Sequence, residues 1–160
     1  MFRDDQVQQL LRGVNPSRVR RDPRGMAHLE QWDVRAHLNR LFGFGGWDME
    51  VTRLALAFET ERAAGRYDVC YTASVRLTVR GRDGGACCYE DAATGFGANQ
   101  SRGDAHDLAL KSAVSTAMKR AATSLGDQFG LSLYRDDPSE PAVGGVLGYV
   151  RTPSGDSVGE

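Results

Sequence analysis

Tyr67-Asp68-Val69-Cys70-Tyr71-Thr72-Ala73-Ser74-Val75-Arg76-Leu77-Thr78-Val79-Arg80 is the stretch that decides the fold. Val69, Tyr71, Ala73, Val75, Leu77 and Val79 fall on one face, and Asp68, Cys70, Thr72, Ser74, Arg76, Thr78 and Arg80 on the other. That alternation, sustained over the whole segment, specifies a strand with one face buried, as antiparallel sheets have. Gly81-Arg82-Asp83-Gly84-Gly85 follows as a hairpin turn, and residues 86–93 return as the partner strand. Upstream, residues 47–58 alternate through Met49 and Val51, slip near Arg53, and resume as Leu54, Leu56 and Phe58. The slip predicts a β-bulge.

Helices flank this meander. Val34, Leu38 and Leu41 recur at helical spacing and predict a helix over 30–42 that Gly43 stops. Downstream, residues 94–103 read as a glycine-rich connection, and Asp104 as the cap of a long helix over about 105–125. Its expected apolar stripe is Leu110, Val114, Ala117, Ala121 and Leu125. Its small residues Ala113, Ala117, Ala121 and Ala122 allow close approach to a sheet. Thr116, Lys119, Arg120 and Thr123 lie roughly opposite the stripe. Residues 3–12 suit a short helix, and 13–25 a loop rich in Arg, Pro and Gly. The expected class is α+β: an antiparallel β-meander of three or more strands packed by helices, ending in a long helix. The expected organisation is an N-terminal helix and Arg-rich loop over 1–25, a main domain over 26–135, and a flexible acidic tail over 136–160.

Composition narrows the function. The chain has 160 residues, 41% hydrophobic and 26% charged, an ordinary globular balance. No apolar run is long enough to span a membrane, and no signal peptide is visible. Cys70, Cys87 and Cys88 are odd in number and unsuited to a disulfide framework, so a reducing cytoplasm is the expected compartment. Net charge is −1, which excludes a strongly basic binder but not a local basic site. Residues 1–40 carry an excess of three positive charges, and residues 131–160 an excess of three negative ones. Arg18, Arg20, Arg21 and Arg24 fit either a DNA-touching arm or a solubilising loop.

Several chemistries lack their motifs. There is no Gly-x-x-x-x-Gly-Lys-Ser/Thr phosphate loop. Gly43-Phe44-Gly45-Gly46 lies between helix and strand, the reverse of the dinucleotide-binding order. His28, His37 and His106 have no metal-type partners at short spacing. Glu90-Asp91 is the one carboxylate pair that suggests a metal-dependent nuclease, but adjacent strand residues face opposite ways. No cofactor and no bond-making activity are expected. A non-DNA assembly domain, with glycine turns and the small-residue helix serving only oligomerisation, is the other rival.

Four segments in order resemble one family. They are Leu41-Phe42-Gly43-Phe44-Gly45-Gly46-Trp47; the strand 67–80 with its hairpin; Tyr89-Glu90-Asp91-Ala92-Ala93-Thr94-Gly95-Phe96-Gly97; and residues 117–130, Ala117-Met118-Lys119-Arg120 onward. Together they are similar to the Rad fifty-two family of single-strand annealing proteins, in the short bacterial and phage form, over about residues 26–135. The resemblance implies a homo-oligomeric ring that holds single-stranded DNA in a basic groove and anneals complementary strands without ATP, in recombination and repair. It implies groove contacts from Lys119 and Arg120. It also implies a base from the preceding helix, where the matching position is Asp33 and Arg35 is the substitute. Arg102 and Lys111 stand where the family has an outer DNA site. Arg76, Arg80 and Arg82 are candidates for the groove's other wall. A single-strand-binding protein is a further candidate partner, although the tail is too short for the family's known recruiting region. Physically, Lys and Arg contacts to phosphate hold any strand while leaving its bases free. A ring multiplies weak contacts through effective concentration.

Overall fold

The structure is a computed structural model and describes residues 2–81, 83–135 and 141–144. Its centre is a three-stranded antiparallel sheet in sequence order: β3 (Trp47–Arg62), β4 (Arg66–Arg80) and β5 (Ala86–Gln100). The alternation in β4 works as its pattern demands. Val69, Ala73, Val75, Leu77 and Val79 are buried on the helix side, while Arg76 and Arg80 are exposed on the other. The long helix α3 (Arg102–Thr123) lies across β4 and β5. The helix α2 (Gln31–Phe42) packs beside it and ends at Gly43, whose φ of 80° suits glycine. A second, two-stranded sheet pairs β1 (Val19–Arg21) with β2 (Ala27–Leu29), and α1 (Asp4–Leu10) closes the N-terminal side.

The bulge expected near Arg53 lies between Val51 and Arg53, and a second lies between Leu56 and Phe58. Cross-strand partners share a face. The first bulge therefore keeps Leu54 and Leu56, opposite Ala73 and Tyr71, on the helix side. The second turns Phe58 to the open face, opposite Cys70 and beside Phe96 of β5, with ring centroids 6.0 Å apart.

Three expectations need correcting. Residues 94–100 are not a connection: β5 continues to Gln100. Its glycines serve close approach. A Cβ at Gly95 would lie 2.0 Å from the Ala109 carbonyl oxygen, and one at Gly97 would lie 2.3 Å from that of Ala105. The α3 backbone thus rests directly on β5, which also explains the buried face of α3: Ala105, Ala109, Ala113, Ala117 and Ala121 at every fourth position. Leu110 and Val114, placed in the expected stripe, are only half-buried at its side. Finally, the helix starts earlier, at Arg102, and its cap is Ser101, whose hydroxyl accepts the Asp104 N–H at 3.3 Å.

The 13–25 segment is also more ordered than a loop. Asp22 N–H donates to the Met26 carbonyl at 3.0 Å, and Asp22 Oδ1 accepts the Arg24 and Met26 amides at 2.9 Å each. Asp22-Pro23-Arg24-Gly25 is therefore a side-chain-closed turn joining β1 to β2. The N-terminal segment is part of the same packed unit. Val7 and Leu10 are buried, and Gln128 donates to the Arg12 and Gly13 carbonyls at 3.0 and 2.6 Å. Of the tail, 136–140 and 145–160 lie outside the described residues. Residues 141–144 lie back on the domain, where the Asp127 carboxylate accepts the Ala142 and Val143 amides at 3.0 Å each.

Candidate nucleic-acid interface

Packing α3 on the sheet through its alanine stripe turns the helix's opposite side toward β1–β2. Between them lies a cleft of about 370 Å³. Thr116, Lys119, Arg120 and Thr123 form one wall, and Asp22, Arg24, Met26 and His28 form the other. Phe129, Leu133 and Tyr134 from the turns after α3 close the end. Gly126 and Gly130, with φ of 105° and 93°, let the chain reverse twice within five residues to place them.

The two basic residues of α3 differ. Arg120 Nε donates to Asp91 Oδ1 at 3.1 Å, the carboxylate coming from the helix side of β5. Lys119 makes no ion pair or hydrogen bond among the described residues, and it is half-buried in the cleft. An ammonium in that position keeps its charge for a ligand. Met26 and Tyr134, 63% and 69% exposed, line the same cleft as a flexible apolar side chain and an aromatic ring. Arg24 is held only loosely, by Asp22 at 3.4 Å.

The other sequence-derived candidates do not join this cleft. Asp33, at the position where a base was expected, is buried at 3% exposure and takes a bidentate bond from Arg18 at 2.8–3.1 Å. It fixes α2 to the segment before β1. Arg35 points toward β3, its Nη2 3.8 Å from the Met49 sulfur, and does not line the cleft. Arg76 and Arg80 stand on the open sheet face. Arg76 is bound by Glu90 at 3.2 Å and Glu50 at 3.6 Å, and Arg80 by Asp48. The wall facing α3 is the β1–β2 hairpin, not the β4–β5 turn, because even-numbered β4 residues face away from the helix. Arg82 lies outside the described residues. Lys111 pairs with Asp107 at 2.8 Å, one helical turn away. Arg102 sits at the start of α3, bound to Glu59 at 3.2 Å and 5.8 Å from the Tyr67 ring centroid. Hydrogen bonds from His106 and then Arg102 hold the Glu59 carboxyl below its usual range.

Of the four arginines of 18–24, Arg18 is structural, Arg20 and Arg21 donate to carbonyls of their own hairpin, and Arg24 reaches the cleft. Sequence reasoning missed the wall made by Arg24, Met26 and His28 because three-residue strands carry too little periodicity to detect. The usable signal is the turn Asp22-Pro23-Arg24-Gly25.

Glu90 and Asp91 do not converge. Glu90 faces the open side, bound by Arg76 and by the Thr52 hydroxyl at 3.2 Å, while Asp91 faces α3. Among the described residues no group of three His, Cys, Asp or Glu could hold a metal ion.

The chain matches the Rad52/22 family double-strand break repair protein model over residues 4–143. It belongs to that family. It is 37% identical over 113 residues to the DNA repair and recombination protein RAD52 of Eremothecium gossypii, covering 70% of this chain and 25% of that protein. It is 34% identical over 113 residues to the protein of the same description from Saccharomyces cerevisiae, covering 70% and 23%. It is 28% identical over 131 residues to the DNA repair and recombination protein rad22 of Schizosaccharomyces pombe, covering 78% and 27%. The chain thus matches about a quarter of the length of these relatives. The matched family segment includes the β1–β2 hairpin as well as α3, so both walls of the cleft belong to the family domain.

Proposed function

We propose that this Rad52/22 family chain binds single-stranded DNA in the Lys119–Arg120 cleft and anneals complementary strands without ATP, as a non-enzymatic step of recombinational repair. The observation that supports it best is the unpaired Lys119 ammonium beside Arg120 in a cleft open to solvent. A lysine with no acid partner among the described residues, flanked by exposed Met26 and Tyr134, suits a strand held by its phosphates while its bases touch apolar or aromatic surfaces.

The same reading takes the working form to be a homo-oligomeric ring. Both β3 and β5 are edge strands of the sheet, 16 and 15 residues long. On the helix side of β3, Val51, Leu54 and Leu56 remain 41–49% exposed, because α3 covers β4 and β5 and stops short of this strand. A long edge with an uncovered apolar row favours association with another chain. A second copy covering that row would bring one cleft beside the next and join short stretches of bound strand into a continuous path.

The test is annealing of two complementary labelled strands, without ATP or Mg²⁺, across a salt series. Pairing much faster than the protein-free control, weakening as salt rises and failing in the Lys119→Ala/Arg120→Ala double variant, is the expected result. A folded, oligomeric protein that accelerates nothing and retains no single-stranded DNA at low salt would favour the non-DNA assembly reading instead.

A further inference from the structure

A second basic recess, of about 690 Å³, opens where α1, α2 and the turn after α3 meet, and it shares no residue with the Lys119–Arg120 cleft. Its floor is His37, only 5% exposed. Arg40 Nη1 lies 3.2 Å from His37 Nδ1. A guanidinium only donates, so Nδ1 accepts, and the neutral ring carries its proton on Nε2. Burial first, then the charges of Arg18 and Arg40, keep the ring neutral, with its pKa lowered to about 4. The Nε2–H is buried and has no hydrogen-bond partner within bonding geometry among the described residues. The Gln128 side chain stands nearby and favours the protonated ring, and its oxygen accepts from Arg18 at 3.3 Å. Buried donors in folded proteins are almost always satisfied, by protein, by water or by a ligand.

The surroundings indicate the kind of partner. Arg12 and Arg40 stand on the rim and pair with no carboxylate among the described residues. Arg18 is spent on Asp33. The one carboxylate among the lining residues, Asp5, is held by Arg3 at 2.7 Å. Arg12 and Arg40 beside a buried N–H donor give the recess positive charge and hydrogen-bond donors, and the acceptors in its lining are mostly neutral amides, Gln6, Gln8, Gln9 and Asn15 among them. A water brings no charge to offset the two guanidinium groups, whereas a tetrahedral oxyanion does so and accepts a hydrogen bond from each donor on a separate oxygen.

The geometry points to a phosphoryl-binding site in this recess, with His37 Nε2–H, Arg12 and Arg40 as the donors. The shared ligand chemistry is a phosphate monoester or free phosphate, and the recess is of a size that holds a nucleotide. The site does not depend on the annealing reading, and its test does not use annealing.

The experiment follows the imidazole nitrogens of the full chain by long-range ¹H–¹⁵N NMR near pH 7. Inorganic phosphate is titrated against chloride at constant ionic strength. The expected result is a saturable shift of the His37 Nε2 signal, weakened about 10-fold or more by Arg40→Gln and by Arg12→Gln, and left intact by Lys119→Ala. Both rim arginines reach solvent, so these variants keep the fold, and their backbone spectra verify it. Oligonucleotides with a 5′-phosphate or a 5′-hydroxyl form the second arm. A shift at lower concentration with the 5′-phosphate strand alone identifies a strand end as the ligand, and one with inorganic phosphate alone identifies the free ion. Either upholds the site. No saturable shift with any probe, or one that Arg12→Gln and Arg40→Gln leave unchanged, overturns it.

Discussion

The cleft and the open face of the sheet both carry basic residues, and they hold them differently. On the open face Arg76 sits between Glu50 and Glu90, and Arg80 is bound by Asp48. In the cleft Lys119 has no acid partner among the described residues, and Arg120 has only Asp91. The difference lies in register. Arg76 of β4 stands opposite a carboxylate on each neighbouring strand, Glu50↔Arg76↔Glu90, so its charge is neutralised within the sheet. Lys119 projects from a helix toward a hairpin whose own acid in the cleft, Asp22, is already engaged by the Arg24 and Met26 amides and the Arg24 guanidinium. What makes a base available to phosphate is the carboxylate its neighbours fail to supply, and sequence counts of Arg and Lys do not report that.

The largest expected effect comes from removing the cleft altogether. Gly95→Val places side-chain carbon against the α3 backbone, where a single Cβ already falls 2.0 Å from the Ala109 oxygen and 2.2 Å from the Ala113 nitrogen. Neither atom can yield without lifting the helix. We expect a loss of about 3 kcal/mol or more, read as a collapse of the thermal midpoint or as insoluble protein. Thr94→Val, one residue away on the open face, should leave the midpoint within a few degrees. Equal effects of the two substitutions would refute the close-approach role of Gly95.

Next is the comparison itself. Lys119→Ala and Arg120→Ala should each weaken single-strand binding about 10-fold at low salt, and each should flatten the log–log salt slope by roughly 0.7 for every phosphate no longer held. Arg76→Ala and Arg80→Ala, whose charges are already spent within the sheet, should change affinity less than about twofold. Equal losses from both faces would show that the open face touches DNA and that its ion pairs break on binding.

Much of this architecture is legible in the chain and some is not, for definite reasons. The β4 alternation, the first β3 bulge and the α2 stop at Gly43 depend on local pattern, and local pattern is what a sequence displays. The glycines at 95 and 97 mislead because glycine marks both turns and close approaches, and only the helix lying on β5 separates the two. Their i, i+2 spacing in a strand, followed by alanines at every fourth position of a helix, is the signature of the close approach. The Lys119–Arg120 pair stands out only through resemblance, since a basic pair on a helix is otherwise an ordinary solvated face. Arg35 is suggested by its nearness to Asp33 in the chain, and Arg76 and Arg80 by their place on the hairpin, and neither says what stands opposite them in space.

A cation cluster short of acids should also resist a further positive charge. His37 lies beside Arg18 and Arg40, and its pKa is lowered to about 4, mainly by burial; the nearby Asp33 carboxylate opposes the shift without cancelling it. In the unfolded chain a histidine titrates near 6.5, roughly its free value. Between those values the unfolded state binds the extra proton, so stability falls as pH drops from about 6.5 to 4 and levels off below. The expected loss is about 2 kcal/mol, allowing for water that reaches the ring. Denaturant midpoints at about pH 7 and pH 4.5 measure it, and His37→Gln should flatten that slope. An unchanged slope would mean that other groups set the acid limit.

The smallest effect sharpens the comparison most, because it turns one region into the other. Asp91 is the carboxylate that holds Arg120, and its side chain is one-third exposed. Asp91→Asn leaves a hydrogen-bond acceptor for Arg120 while removing the opposing charge, so the fold should be kept and the cleft become more positive. A partly exposed pair of this kind is worth about 1 kcal/mol or less, so stability should hardly move. Single-strand affinity should rise about two- to threefold, with a steeper salt dependence as Arg120 becomes free to engage a phosphate. The matching substitution on the other face, Glu90→Gln, frees Arg76 to the same degree and should leave strand affinity unchanged. If it raises affinity as Asp91→Asn does, net charge governs binding, and the cleft has no privileged place in it.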